Sequence, residues 1–123
     1  MKLADILKQG IATDSLGFGP ALIEKGVIKP AAGGSKRPRT FAGTNEKPGD
    51  IWLVVAEGDG INGNGPGLTV RDCAEYLLSK GCTLAYPFDG GGSSTMVFQG
   101  QVLNTPSEKG KERGFLGDFV YFK

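Results

Sequence analysis

One segment of the chain carries apolar residues at helical spacing. In "LTVRDCAEYLLSKG" (residues 68–81) an apolar residue recurs every three or four positions, which predicts a helix with one buried stripe. Thr69, with Asp72 three residues later, is typical of a capping box, and Gly81 is typical of a helix end. The buried stripe of this amphipathic helix is predicted to contain Val70, Cys73, Ala74, Leu77 and Leu78.

The other apolar runs are short and bounded by glycine or proline, which is typical of strands. The run "DIWLVVAEG" (50–58) is continuous and predicts a strand in the centre of a sheet. Further strands are predicted on either side of a Lys25-Gly26 turn, in 82–88, in a hairpin that turns at Gln99-Gly100, and in 117–122. The opening residues, up to Gly10, favour a short N-terminal helix. Together these elements predict one α/β (α+β) domain over residues 1–123 with a mixed β-sheet.

Charge and hydropathy narrow the classes of partner. Lys and Arg number 14 and Asp and Glu 13, and this balance argues against nucleic-acid binding through a basic face. No apolar run is long enough to span a bilayer, and the first ten residues do not form a signal peptide. A cytoplasmic or virion-associated protein is expected, or an extracellular one whose leader has been removed.

The chain contains no histidine. This excludes Ser-His-Asp and Cys-His catalysis and the common zinc sites, and leaves acid-base chemistry to carboxylates, lysine, tyrosine or water. The two cysteines could pair, but Cys73 falls on the apolar stripe of the predicted helix, which favours a buried free thiol over a disulfide with Cys82.

The most unusual stretch is "FDGGGSSTMVFQG" (88–100), in which an aspartate, three glycines and three hydroxyl residues follow a predicted strand. Such a loop can form a nest of backbone N–H groups that binds an anion; a mobile turn is the alternative. A phosphate-binding P-loop is excluded because no Gly-Lys-Ser/Thr ending follows. The candidate binding residues are Asp89, Gly90, Gly91, Gly92, Ser93, Ser94 and Thr95. Arg39, Asn104 and Arg113 can converge on them if the sheet brings their strands together, and a solvated surface position is the alternative for each arginine.

The loop after the predicted central strand is rich in side-chain oxygens. Asp59, Asn62 and Asn64 follow Glu57 there, but their spacing does not match an EF-hand. We expect no cofactor, and a calcium ion near these residues is the weaker alternative.

Several pieces in order resemble the C-terminal part of the phosphodiester glycosidase family. They include "FGPALIEKGVI", "RTFAGT", "IWLVVAEG" and the whole of 67–122, and the resemblance covers roughly residues 17–122. The Asp-Gly-Gly-Gly-Ser-Ser-Thr-Met run is the most specific piece. It is followed by a hairpin, an asparagine near a proline and a Glu-Arg pair. Glu57 stands where the family usually has Asp-Gly, which is a conservative departure.

The resemblance implies a hydrolase that cleaves the sugar–phosphate bond of a glycosyl phosphodiester, of the α-linked N-acetylhexosamine type. It implies catalytic roles for Asp89, Arg39 and Arg113. It also implies substrate binding by the residues of the glycine loop (Gly90, Gly91, Gly92, Ser93, Ser94 and Thr95) and by Asn104 and Glu57.

The chain also departs from the family, whose members carry a further segment upstream of "FGP". A homo-oligomer, or a place in a larger assembly, is therefore expected to complete the site. The alternative function is a non-catalytic module that binds carbohydrate or phosphate, or that is structural, in an assembly such as a phage particle. The expected partners are a glycosyl-phosphate or a cell-wall or surface glycan.

Overall fold

The structure is a computed structural model that describes residues 3–10, 17–29, 33–47, 49–58, 65–117 and 119–122. Two helices and two small sheets make up this part of the chain, which confirms the α+β class and the short N-terminal helix. None of its helices is long and apolar enough to cross a membrane. The elements in chain order are α1 (Leu3–Lys8), β1 (Ile23–Glu24), β2 (Val27–Ile28), β3 (Arg39–Thr44), β4 (Ile51–Ala56), α2 (Val70–Ser79), β5 (Leu84–Pro87), β6 (Val97–Phe98) and β7 (Gln101–Val102).

The main sheet has the strand order β2-β1-β5-β3-β4, and β6 and β7 form a separate hairpin. Every strand pair in the described residues is antiparallel, so the expectation of mixed strand directions is wrong for them. The reason lies in the connection through α2. A crossover helix joins β4 to β5, but β3 lies between these two strands and pairs with both.

Strand β4 lies at an edge of the sheet in the described residues, not at its centre as predicted. It pairs with β3 from Arg39 opposite Ala56 to Thr44 opposite Ile51. Val54 and Ala56 pack against the core, whereas Ile51 is 55% exposed. A continuous apolar run predicts burial on both faces, but here one face and the outer edge of the strand are open.

The predicted strand at 117–122 is also wrong for the residues that the structure describes, because 119–122 are not in a strand. Phe119 and Phe122 are mostly exposed. Apolar and aromatic composition favours a strand only where a neighbouring edge offers hydrogen bonds. The hairpin at Gln99-Gly100 is confirmed, as is the turn at Lys25-Gly26 between β1 and β2.

Helix α2 covers one face of the sheet and begins with the predicted capping box. The Thr69 hydroxyl accepts from the Asp72 N–H, and the Asp72 carboxylate accepts from the Thr69 N–H. Both hydrogen bonds lower the pKa of Asp72, and the one from the Thr69 backbone has the larger effect. The core between helix and sheet contains Leu22, Ile23, Phe41, Cys73, Ala74, Leu77, Cys82 and Ala85.

Both cysteines are free and buried, which confirms the prediction for Cys73. Burial raises the pKa of the Cys73 thiol to about 11 and also raises that of Cys82. A thiol reacts as its thiolate, so both side chains are inert core residues.

We predict that neither thiol reacts with Ellman's reagent in the folded protein at mildly alkaline pH, and that both react after denaturation. Because the folded-state pKa of Cys73 is raised, its stabilising contribution is complete below its unfolded pKa and is lost as the pH rises toward about 11. Rapid labelling of either thiol in the native protein would contradict this account of the core.

Gly43 allows β3 to approach the helix. A Cβ atom at this position would lie 2.8 Å from Cys82 Sγ and 2.9 Å from Leu77 Cδ1. We predict that Gly43→Ala lowers the free energy of unfolding in urea by about 1–3 kcal/mol through overpacking. Gly114→Ala, where no atom lies within 4 Å of the added Cβ, is the matched control. Equal stability of the two variants would show that the core is looser than described.

Candidate functional site

The glycine loop (residues 88–95) is held by backbone hydrogen bonds to residues at the start of β3. The Phe88 N–H donates to the Thr40 carbonyl at 2.8 Å, and the Gly91 N–H donates to the Pro38 carbonyl at 2.9 Å. The loop then forms a single 3₁₀ turn over Gly91–Ser93. The antiparallel pairing of β3 with β5 therefore carries the loop back over the first residues of β3.

Most of the loop amides have acceptors within the chain. The Gly90 N–H donates to Asp89 Oδ1 at 2.9 Å. The N–H groups of Ser93 and Ser94 donate to the carbonyls of Gly90 and Gly91. Together with the Gly91 N–H, these four amides are not free to receive a phosphate, so the expected open nest of N–H groups is wrong for them.

The glycines have internal reasons for lacking side chains. A Cβ atom on Gly90 would lie 2.8 Å from the Pro38 carbonyl oxygen, and one on Gly92 would lie 2.6 Å from Arg113 Nη2. Gly91 has a φ of +60°, a conformation that glycine adopts without cost. The glycine run thus lets the loop fold tightly against β3 and against Arg113.

Four side chains on and beside the loop form a continuous network, called here the Asp89 network: Asp89, Ser93, Arg113 and Glu108. The Ser93 hydroxyl donates to Asp89 Oδ2 at 2.7 Å and accepts from Arg113 Nη1 at 3.0 Å. Arg113 also donates from Nε and Nη2 to Glu108 Oε1, at 3.0 and 2.7 Å. A carboxylate and a guanidinium are thereby held on one hydroxyl, with Asp89 exposed to solvent and Ser93 only 9% exposed.

A second set of contacts fixes the end of the loop. Ser94 is 1% exposed, and its hydroxyl accepts from the Thr40 hydroxyl at 3.1 Å. Asn104 Oδ1 accepts from the Met96 N–H at 2.8 Å, and its Nδ2 donates to the Ser94 carbonyl at 2.9 Å. The Glu57 carboxylate accepts from the Thr105 N–H. Asn104 and Glu57, both named from the sequence, therefore hold backbone in this structure.

Arg39 lies apart from the Asp89 network. Its Nε donates to the Leu68 carbonyl at 3.2 Å, and its Nη2 donates to the Ser35 carbonyl at 2.8 Å. The side chain lines a cavity of about 210 Å³ with apolar walls that include Phe18, Phe41 and Phe88. The structure thus brings Asp89, Ser93 and Arg113 together, while Arg39 binds backbone on the helix side of the sheet.

No group of three or more Asp, Glu or Cys residues within the described ranges could hold a metal ion. The weaker calcium alternative concerned Asp59, Asn62 and Asn64, which lie outside the described residues.

Two residues of this region have no role in the expectations drawn from the sequence. Thr40, which bonds Ser94, is next to Arg39 in "RTFAG" and falls on the opposite face of β3, which strand alternation alone could have indicated. Glu108 precedes Arg113 by five residues in an irregular segment, and no periodicity points to their contact.

The fold and the loop define an α+β domain with a carboxylate and a guanidinium joined at a glycine loop. A family model described as phosphodiester glycosidase matches residues 2–118. The chain belongs to the phosphodiester glycosidase family.

Three relatives show how much of the family this chain spans. It is 34% identical over 111 residues to the SPbeta prophage-derived uncharacterized protein YomE of Bacillus subtilis (strain 168), covering 85% of this chain and 17% of YomE. A hypothetical protein from Synechocystis superposes with a TM-score of 0.57 at 26% identity, over 72% of this chain and 18% of that one.

The catalytic domain of zebrafish N-acetylglucosamine-1-phosphodiester alpha-N-acetylglucosaminidase, auto-inhibited by its pro-peptide, superposes with a TM-score of 0.58 at 24% identity. That match covers 71% of this chain and 33% of the zebrafish chain, and it shows a shared fold. The chain thus spans a third or less of each of these three relatives.

We predict that Asn104→Ala lowers the free energy of unfolding by about 1–3 kcal/mol, because it leaves the Met96 N–H and the Ser94 carbonyl without their partner. Gln101→Ala, an exposed amide on β7, is the control and should change stability by less than about 0.5 kcal/mol. Urea unfolding measures both. A loss for Asn104→Ala no larger than for the control would remove Asn104 from the support of the loop.

Proposed function

We propose that the chain hydrolyses the bond between sugar and phosphate in a glycosyl phosphodiester, and that the sugar is an α-linked N-acetylhexosamine. Membership of the phosphodiester glycosidase family supports the reaction class. The name of the zebrafish relative, which acts on an N-acetylglucosamine-1-phosphodiester, motivates the choice of sugar. The observation that carries the proposal is the joint anchoring of Asp89 and Arg113 on the Ser93 hydroxyl.

The leaving group determines what the site has to supply. A glycosidase usually needs a carboxylic acid to protonate the leaving oxygen and a second carboxylate at the anomeric carbon. A phosphomonoester with a second pKa of about 6 departs as a stable anion and needs little proton transfer. The main requirement is then a positive group that balances the charge on the phosphate.

Arg113 meets this requirement in the proposal. Its side chain is 40% exposed, and the guanidinium can present N–H groups to a phosphate that approaches the loop. The Thr95 hydroxyl, two residues after Ser93 in the same loop, is a further donor. Arg39 contributes positive charge from the start of β3 but does not contact the phosphate directly, because its N–H groups bind the carbonyls of Leu68 and Ser35.

Asp89 is assigned to the sugar. Its two oxygens accept from the Gly90 N–H and the Ser93 hydroxyl, so the carboxylate has one fixed orientation. An ionised carboxylate there can stabilise the oxocarbenium-like transition state, attack the anomeric carbon or direct a water molecule. Gly90, Gly91 and Gly92 keep the loop backbone close to the bound substrate, and Asn104 and Glu57 act through the backbone that they hold.

We predict that Asp89→Asn lowers kcat/KM by at least about 100-fold, because the amide keeps the size of the side chain and removes its charge. The assay is release of N-acetylglucosamine from a synthetic α-1-phosphodiester. Asp5→Asn, an exposed residue of α1, is the control and should keep wild-type activity. Full hydrolysis by Asp89→Asn would remove Asp89 from the mechanism.

A second function is favoured by one observation. The face of the sheet opposite α2 carries Ile51, Leu53 and Leu84, which are 55%, 36% and 49% exposed. Thr44 lies opposite both Ile51 and Leu84 in the register, so these apolar side chains lie on the same exposed face of the sheet. An exposed apolar patch marks an interaction surface. It fits a homo-oligomer or a larger assembly, such as a phage particle, in which the chain binds carbohydrate or phosphate without cleaving it.

The two functions are separated by experiment. Absence of sugar release from a folded preparation, together with binding of N-acetylglucosamine α-1-phosphate, would favour the binding module. Light scattering coupled to size-exclusion chromatography then gives the oligomeric state of the same sample.

A further inference from the structure

Glu108 lies at the end of the Asp89 network farthest from Asp89 and has no assigned role. We propose that Glu108 is a positioning residue, which directs the Arg113 guanidinium onto Ser93 and so sets the geometry of the phosphate-binding group. This inference rests on the proposed function, in which Arg113 meets the phosphate.

Because the guanidinium group is rigid, the contact of Arg113 with Glu108 determines its contact with Ser93. Arg113 donates to Glu108 Oε1 from both Nε and Nη2. Because the guanidinium is planar and rigid, fixing these two N–H groups also fixes the direction of Nη1. That third nitrogen lies 3.0 Å from Ser93 Oγ. Glu108 therefore sets the orientation with which Arg113 reaches the loop.

The pair is packed on the loop backbone. A Cβ atom on Gly92 would lie 2.6 Å from Arg113 Nη2 and 2.9 Å from Glu108 Oε1. Glu108 itself belongs to a tight turn, in which the Gly110 N–H donates to the Pro106 carbonyl at 3.0 Å and Lys111 pairs with Glu108 in a backbone bridge. The Glu108 end of the ion pair is thus attached to hydrogen-bonded backbone.

The ion pair is too exposed to serve stability. Its side chains are 40% and 49% exposed, and pairs of this kind contribute little to folding. The Arg71–Glu75 pair on α2 has similar chemistry and exposure, 62% and 53%, and is outside the network. A role for Glu108 must therefore appear in the site and not in the free energy of unfolding.

The charge of Glu108 has two opposing effects on the site. It holds Arg113 in one orientation, and it also offsets part of the positive charge that a phosphate meets. Removing the charge should leave phosphate attraction intact or stronger while the orientation is lost. We therefore expect the loss of activity to appear as a lower kcat and not as a higher KM.

The test is a double-mutant cycle with Glu108→Gln and Arg113→Lys, assayed by N-acetylglucosamine release from the synthetic phosphodiester. Glu108→Gln should lower kcat about tenfold without raising KM, the size expected for a charge-assisted hydrogen bond. In the Arg113→Lys background it should cause no further loss, because there is no planar group left to orient. Glu75→Gln is the matched control and should behave as wild type.

Wild-type kcat for Glu108→Gln, or an equal loss in both backgrounds, would overturn the proposal. A second measurement is independent of catalysis: the ¹⁵N-edited NMR signal of the Arg113 Nε–H, assigned through Arg113→Lys. In Glu108→Gln this signal should move toward that of a free arginine and exchange faster with water. An unchanged signal would overturn the positioning role of Glu108. If the signal shifts as expected but the protein releases no sugar, the positioning role stands and the proposed hydrolase function is rejected.

Discussion

The candidate site depends on the hydroxyl group of Ser93. This group donates a hydrogen bond to Asp89 and accepts one from Arg113, so a negative and a positive side chain share one small, buried contact. Neither charge is buried itself, which avoids the desolvation cost of a buried ion pair. A hydroxyl that both donates and accepts a hydrogen bond is held in one rotational state, and this fixes the positions of the two charged groups that it contacts.

The rest of the structure places Ser93 where it can act. The loop is bound by the carbonyl of Thr40 in β3 and by that of Pro38 just before the strand, and the Thr40 side chain holds Ser94. The same strand packs against α2 through Phe41 and the small residue Gly43. One strand therefore joins the core to the site. The glycines of the loop are explained mainly by this close packing and not by an open cradle of amides.

Much of this could be predicted from the sequence, and what could not has physical causes. The helix with its capping box and the hairpin at Gln99-Gly100 are local patterns, and both formed as predicted. Leu78 is the exception in the predicted buried stripe, because its side chain is 40% exposed. Strand β4 lies at the edge because β3 pairs with both β4 and β5. This pairing between distant parts of the sequence cannot be predicted from a run of apolar residues. Asp89 and Arg113 were named, but their link through Ser93 and the role of Glu108 arise from side-chain directions in an irregular segment.

Binding of a sugar phosphate to the Asp89 network can be measured by titrating the ¹⁵N-labelled protein with N-acetylglucosamine α-1-phosphate. The Arg113 Nε–H signal and the amide signals of Gly92, Ser93 and Thr95 should shift together with one dissociation constant, and free N-acetylglucosamine should cause much smaller shifts. Shifts confined to other parts of the chain, or none at saturating ligand, would contradict binding at the Asp89 network.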